Sequence, residues 1–493
     1  MPGESKIKSI VKLTRHSAIY GVGHVITKSL SILLLPVHTN YVNKFEYGIA
    51  TQLFAFLAIA SIIYSYGLNT ACLQYYIQEP DEEKKNRFFS TAFFSTIFTS
   101  ITLSAILFIF QNPVAKLLFE SVDFSHLIVF SLGILTFDAL VLLSFNILRA
   151  EEKSASFAFF SVMNVGLNLI FNVIFVARWQ MGVRGIFLAN IFSSVLIFLF
   201  LLPVTLKHLK HGISLNLLNK MLQFGLPFIP ATMSVVLMNS IDKIFVKEFI
   251  GMEASADYGA GYKLGLIVKM FINGFQFAWI PFFISTAKQE NAKEIFSKIL
   301  TYFSLICSVI FLAVTFYINQ IVRIRIFGLT IFGEQYWGST VIVPFIVLAY
   351  IAYGLYLNFL VGIYLKEKTK LLVLITGSGA VVNIIGNFIL IPMFDIMGAA
   401  YSTIISFVFM AIFIYFLSRK YYPIDYEFGK LLKILLFSAV IYSIYSYINL
   451  PFVYLTKILL LLSYIVLLYF SGFFETNEIN SLKQYIKKIK WKF

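Results

Sequence analysis

The sequence predicts an all-α, polytopic integral membrane protein of about 14 transmembrane helices, built as two six-helix bundles in a parallel pseudo-repeat with two extra C-terminal helices. Three observations predict it: a composition too apolar for water to solvate, a succession of bilayer-length apolar stretches, and a motif set that recurs at a fixed offset. Of 493 residues, 59% are apolar and 13% charged, with a mean hydropathy of +0.84. Soluble domains carry roughly a quarter charged residues. Two cysteines, Cys72 and Cys307, exclude a disulfide scaffold and a cysteine-based metal cluster.

A spanning helix needs about 20 mostly apolar residues, because inside the bilayer the backbone must satisfy its own hydrogen bonds. Fourteen stretches qualify: 17–36, 47–68, 88–110, 126–148, 154–176, 185–206, 222–246, 256–284, 299–319, 340–363, 371–392, 396–418, 431–449 and 452–473. The first follows Lys6, Lys8, Lys12 and Arg15, but its apolar part is too long for a signal peptide and no small-residue cleavage site follows, so it is read as a retained helix. Basic residues concentrate at the N-terminus, in the even-numbered loops and in the tail, and are scarce in the odd-numbered loops. That alternation predicts a multi-pass membrane protein with both termini cytoplasmic. It also accounts for most of the net charge of +15, which removes the main support for a nucleic-acid partner.

No long soluble domain intervenes. The longest connections are 69–87, 207–221, 320–339 and the tail 475–493. The tail, with Lys483, Lys487, Lys488, Lys490 and Lys492 beside Tyr485, Ile489 and Trp491, suits a basic amphipathic helix on the anionic leaflet or a solvated stop signal after the last span.

Glu152-Lys153 precedes a helix carrying Asn168 and Asn172, and Glu367-Lys368 precedes one carrying Asn383 and Asn387, all offset by 215 residues. The next helix begins with Gly182 and Gly185 in one copy and with Gly398 in the other; Tyr47-Gly48 matches Tyr258-Gly259 at an offset of 211. The repeat shifts by six helices, an even number, so both halves keep the same orientation, as in transporters of two bundles around a midplane cavity. The expected organisation is an N-terminal bundle at 1–206, a second at 207–420, two further helices at 421–473 and a basic tail at 474–493.

Ionisable residues at membrane depth are costly and usually face a cavity or a partner. Lys28, Asp138, Lys263 and Lys269 fall inside spans, and Asp242 and Lys243 lie near the outer end of the seventh. Lys28 and Lys269 sit at similar expected depth in the two bundles; facing inward, with Lys263 nearby, they would make a cationic cavity suited to a phosphate or pyrophosphate. An ion pair between Lys28 and Asp138 that locks two helices is the structural alternative. Asp138 is also the best carboxylate for a proton or cation site. The Asp242 and Lys243 pair reads equally as ion coupling or as a structural ion pair. Asn164, Asn168 and Asn172 recur every four residues on one helix face, echoed by Asn383 and Asn387; such faces are interhelical glue more often than sugar-binding rails.

The chain has no GxxxxGK[ST] phosphate loop, no HExxH and no paired acidic motif with metal spacing, so no metal site is expected. A compact enzymatic site on 320–339, with Arg323, Arg325 and Glu334, stays open as the competing class.

The run from Gly225-Leu226-Pro227 through Asp242-Lys243, Tyr258, Lys263-Leu264 and Phe275 to Pro281, and the segment Leu148-Arg149-Ala150-Glu151-Glu152-Lys153 with its asparagine helix, resemble the Wzx-type polysaccharide-biosynthesis flippases. These form part of the superfamily of multidrug, oligosaccharidyl-lipid and polysaccharide (MOP) exporters, whose fold is MATE-like. The resemblance covers essentially the whole chain, although the family frequently has Arg where this chain has Lys243. It implies a non-enzymatic inner-membrane flippase that moves a polyprenyl-diphosphate-linked oligosaccharide outward by alternating access, for O-antigen or other cell-surface polysaccharide synthesis. It further implies proton or sodium coupling, no cofactor, contact with membrane lipids, and a polysaccharide polymerase and glycosyltransferases as neighbours. A lipid II flippase shares the diphosphate logic, and a cation-coupled multidrug exporter is the third reading.

Overall fold

The computed structural model describes residues 32–210, 212–326, 328–368, 370–447 and 453–475. The first span, Lys28 within it, and the basic tail therefore lie almost wholly outside the described residues. Twelve described helices are long and apolar enough to cross a membrane, and Leu455–Phe470 is a shorter apolar one. Together they coincide with spans 2 to 14.

In chain order the first bundle holds α1 (Leu35–Tyr41), α2 (Lys44–Ser65), α3 (Leu68–Gln78), α4 (Glu82–Ile109), α5 (Gln111–Phe119), α6 (Ser125–Ala150), α7 (Ser154–Asn172) and α8 (Gly182–His208). The linking helix α9 (Leu215–Gly225) leads to α10 (Ile229–Phe249), α11 (Met252–Thr286), α12 (Ala292–Ile321), α13 (Val343–Phe359), α14 (Val361–Leu365), α15 (Lys370–Phe394) and α16 (Ile396–Tyr421). Helices α17 (Phe428–Tyr447) and α18 (Val453–Phe470) follow and pack on α12. Local chemistry sets several boundaries. Asn43 Oδ1 accepts the Glu46 N–H at 2.9 Å to start α2, Asp81 does the same for Glu83 N–H at 2.9 Å to start α4, and Pro230 and Pro344 stand in the first turns of α10 and α13.

Three short helices differ from the expectation of plain connections. α3, α5 and α9 occupy loop sequence because each lays an apolar stripe on the bundle; Met221 of α9 is buried against Leu68, Cys72 and Phe89. The segment 320–339 carries a two-residue β-hairpin, β1 (Arg325–Ile326) against β2 (Leu329–Thr330), antiparallel with Arg325 opposite Thr330.

The repeat is visible in the backbone. Glu152 and Glu367, 215 residues apart, both have φ of 55°, and Gln180 and Asp395, again 215 apart, have φ of 53° and 58°. Left-handed backbone is unfavourable for residues with a Cβ, so its recurrence at matched positions marks the same turns built twice. In the first pair the turn is closed identically, Lys153 N–H to the Leu148 carbonyl at 2.8 Å and Lys368 N–H to the Ile363 carbonyl at 2.9 Å. Beside the first turn, Glu151 bonds His208 Nε2 at 2.9 Å and pairs with Lys153 at 2.6 Å; burial opposes its charge, yet these partners hold its carboxyl below the usual range. Such an anchor contributes above the ordinary carboxylate pKa and is lost as pH falls through the lowered one.

The two bundles meet where α2 crosses α11, and the repeated Tyr-Gly motif makes the crossing. A Cβ on Gly48 would fall 2.3 Å from the Met252 carbonyl oxygen, and one on Gly259 would fall 2.7 Å from Thr51. Only glycine permits that approach. Around it Lys44 pairs with Asp257 at 3.0 Å, Gln52 Nε2 donates to Ser255 Oγ and to the Lys243 carbonyl at 2.7 Å each, and Gly333 N–H donates to Thr39 Oγ1 at 2.8 Å. One apolar core runs through both bundles at this end. At the opposite, lysine-rich end the cores are separate: Leu68, Phe89 and Leu143 belong to the first bundle, Trp279, Phe283 and Phe296 to the second.

Gly48→Ala is expected to cost about 1–3 kcal/mol by forcing the helices apart, whereas Gly166→Ala, with nothing within 4 Å of the new Cβ, leaves stability unchanged or slightly raised. Thermal-aggregation midpoints of the two variants in detergent check this.

Candidate functional site

Helix α10 carries Asn239, Asp242 and Lys243 at positions i, i+3 and i+4, and this turn faces two environments. Asp242 is fully buried toward α11, α15 and α16. Its carboxylate accepts from Tyr258 OH at 3.0 Å, Asn387 Nδ2 at 3.0 Å and Thr403 Oγ1 at 2.8 Å. Lys243 points the other way: its ammonium donates to the Asn239 carbonyl at 2.5 Å and lies 4.0 Å from the centre of the Tyr262 ring. Adjacent in sequence, Asp242 and Lys243 form no ion pair with each other among the described residues. The structural-pair reading fails because neighbouring residues on a helix diverge by about 100°.

Lys263 and Lys269 of α11 lie near Lys243 among phenol and amide oxygens. Lys263 Nζ donates to Tyr47 OH at 3.0 Å across the bundle contact and lies 5.1 Å from the ring centres of Tyr47 and Phe54. Lys269 Nζ donates to Asn239 Oδ1 at 3.0 Å and to Tyr350 OH at 3.3 Å. Asn239 Oδ1 also accepts from Tyr262 OH at 3.1 Å and Tyr350 OH at 3.0 Å. Three half-buried ammoniums are thus gathered on α10 and α11 by neutral oxygens and aromatic faces. Their accessibility separates them from structural lysines such as Lys457, which is buried against the Phe316 carbonyl.

Asp138, in the middle of α6, is exposed and accepts from Ser194 Oγ of α8 at 2.6 Å. Its expected partner Lys28 lies outside the described residues. The asparagine faces hold helices together in both bundles. Asn172 donates to Asn168 Oδ1 at 2.8 Å and meets His38 Nε2 at 2.8 Å, while Asn168 donates to Ser193 Oγ at 2.9 Å. Asn387 donates to Asn383 Oδ1 at 3.2 Å, and Asn383 to Ser402 Oγ at 3.4 Å. Asn164, one turn earlier on α7, is half-buried and lies outside this chain of amides among the described residues. The equivalent asparagine therefore engages a histidine in one bundle and a carboxylate in the other. Asn239, Tyr262 and Tyr350 escaped the sequence reading, since a lone Asn and two Tyr among 28 carry no local signal. Spacing offered one clue: Asn239 and Lys243 are four apart on one helix.

Elsewhere, Arg323 stacks on Trp337 at 4.6 Å, and Arg325 on the hairpin lies 3.6 Å from Glu334 at the start of the 3-10 helix that follows, both of these last two exposed. An apolar groove of about 570 Å3 opens between α12, α13, α16 and α17, lined by Phe311, Leu355, Phe359, Ile412, Leu431 and Leu435.

Asp242→Ala strips an acceptor from three buried donors and is expected to destabilise the protein by about 2 kcal/mol or more, while Asp138→Ala, which removes the acceptor of a single described donor, costs less. Comparison of thermal midpoints decides it.

Residues 13–287 match the model of the family described as polysaccharide biosynthesis protein. The Lsg locus putative protein 1 of Haemophilus influenzae is 23% identical over 350 residues, which is 69% of this chain and 84% of that relative. Among solved structures, lipid II flippase MurJ in an inward closed conformation is similar with a TM-score of 0.75 and 16% identity, over 92% of this chain and 98% of that one. A multidrug resistance MATE family transporter of the MOP superfamily, in an inward-facing conformation, gives a TM-score of 0.62 at 15% identity, over 80% of this chain and 94% of that one. At such identities the structural likeness speaks to fold, and it agrees with the two-bundle architecture. The family match covers more than half of the chain: this protein belongs to the polysaccharide biosynthesis protein family and has the fold of the MOP-superfamily transporters.

Proposed function

We propose that the protein is a flippase that carries a polyprenyl-diphosphate-linked oligosaccharide from the cytoplasmic to the outer leaflet of the bacterial inner membrane, without making or breaking bonds in it. One observation carries the reading: Lys243 and Lys263, both half-buried beside the bundle contact, meet neutral oxygens and aromatic rings, and neither has an ion-pair partner among the described residues. Ammoniums held at membrane depth by neutral oxygens are costly. A diphosphate reaching them would supply the missing charge, and lysine is an effective point-charge ligand for it. Exporters of cationic drugs need the opposite balance.

Orientation follows from charge. The end rich in Lys153, Lys207, Lys210, Lys366, Lys368 and Lys420 is cytoplasmic. The bundle contact then closes the outer end, and this form loads from the cytoplasm. Coupling to a proton or sodium ion is assigned to Asp242. Its carboxylate is fully buried, and the buried Asn387 Oδ1 has no hydrogen-bond partner among the described residues. A lipid II cargo would use the same lysines, so cargo identity is read from the lipid.

Depletion of the protein in its source cell is expected to accumulate a completed diphosphate-linked oligosaccharide, identified by mass spectrometry of polyprenyl lipids. Accumulation of the peptidoglycan precursor instead would assign lipid II, and unchanged lipid-linked glycans would overturn the flippase reading. In the same cells, a Lys243→Ala, Lys263→Ala double variant at normal abundance should fail to relieve the accumulation.

A further inference from the structure

The repeat builds one turn twice and finishes it differently in each half. Gln180 and Asp395, 215 residues apart, have φ of 53° and 58°. In the second copy the turn uses up its own polar group, since Asp395 Oδ1 accepts the Ile396 N–H at 2.7 Å to start α16. In the first copy the carboxylate comes from another helix: Glu46 Oε2 of α2 accepts the Val183 N–H at 3.2 Å, in the first turn of α8. Gly182 admits it, because its φ is 56° and a Cβ there would fall 2.2 Å from that oxygen. The Gln180 side-chain amide and Glu46 Oε1 are thereby left without a hydrogen bond among the described residues.

Beside this turn lies a cleft of about 840 Å3, within the range of roughly 300–1,000 Å3 that small-ligand sites occupy. Its walls come from three connections, at 40–46, Phe124 and 179–184. With the cytoplasmic end fixed by charge, these stand on the outer face, next to the bundle contact, where Asn40 Nδ2 donates to the Thr330 carbonyl at 2.8 Å. Two features define what the cleft can hold. The Trp179 indole is 62% exposed and braced by the Phe175 ring at 5.2 Å, and with Tyr41 it offers an open aromatic surface. Donors and acceptors surround it: the Glu46 carboxylate, the Asn43 and Gln180 amides, and the Arg184 guanidinium, which makes no ion pair among the described residues. Glu46 and Arg184 balance each other in charge, so the described lining offers no net field for a phosphate or a cation. An aromatic face rimmed by such groups matches a pyranose, whose C–H face is apolar and whose hydroxyls both donate and accept.

We propose that this outer cleft is a saccharide-binding site, with Trp179 as the stacking platform and Glu46, Gln180 and Arg184 as ligands of sugar hydroxyls. The inference rests on the flippase reading only for the origin of the sugar: the glycan of the cargo meets this cleft as it leaves on the outer side. A tryptophan that serves as an anchor among lipid headgroups needs no such surroundings.

The test is isothermal titration calorimetry of the full chain in zwitterionic nanodiscs against lipid-free oligosaccharides released by mild acid from the surface polysaccharide of the source cell. Wild type is expected to bind and Trp179→Phe to bind nearly as well, while Trp179→Ala weakens binding by about tenfold or more and Arg184→Ala by about threefold or more. Thermal midpoints should barely move, since both side chains are exposed. Absence of wild-type binding, or binding by Trp179→Ala equal to wild type, overturns the site. Inorganic pyrophosphate that displaces the oligosaccharide would assign the cleft to a phosphate headgroup and overturn it equally. Should depletion leave lipid-linked glycans unchanged while the oligosaccharide still binds, the flippase reading falls and the saccharide site stands.

Discussion

The close crossing of α2 and α11 is the contact on which the rest of the molecule depends. Gly48 sets its backbone against that of Met252, Gly259 receives the Thr51 side chain, and three consequences follow from that proximity. Tyr47 reaches Lys263, Gln52 reaches the Lys243 carbonyl, and Lys44 reaches Asp257. The same approach makes one end of the molecule a continuous core and leaves the other end as two separate ones. In lipid there is no hydrophobic drive between helices, so small residues that allow intimate packing and polar groups that bond across it decide where bundles join. Opening that end requires breaking these bonds together, which suits a two-state exchange of access better than a gradual one.

Polar chemistry is sorted by helix geometry along α10. Asp242 faces the interior of the second bundle, where a phenol, an amide and a hydroxyl satisfy it, and half-buried Lys243 meets the Asn239 carbonyl and the Tyr262 ring instead. A carboxylate and an ammonium on adjacent residues would ordinarily be expected to neutralise each other. Here the divergence of side chains keeps the buried anion and the accessible cation separate, yet on the same rigid turn. Both groups therefore sit on a single element, and Tyr258 is bonded to Asp242 with its ring centre 6.0 Å from the Lys243 ammonium.

Duplication shows how one scaffold was specialised. Matched left-handed turns and matched asparagine pairs persist in both halves, while their partners have changed: His38 meets Asn172 where Asp242 meets Asn387. The amide pairs are the conserved mechanics of holding the fifth and sixth helices of each bundle together. What they hold beside them differs, and the second half became the electrostatically distinctive one.

Much of this was legible in the sequence. Apolar stretches of bilayer length placed the spans within a few residues, because in hydrocarbon a segment has no alternative to a helix that satisfies its own backbone. The 215-residue offset revealed the duplication and its parallel sense, since helix parity alone settles orientation. The Tyr-Gly repeat and the intramembrane lysines were also visible as residues. What tertiary structure decided was partnership. Sequence neighbours Asp242 and Lys243 part company, while Asn239 and Tyr350, 111 positions apart, meet on one oxygen. Helix periodicity is a local property readable from a string of residues; which faces meet is set by packing between distant helices, and that information exists only once they are assembled.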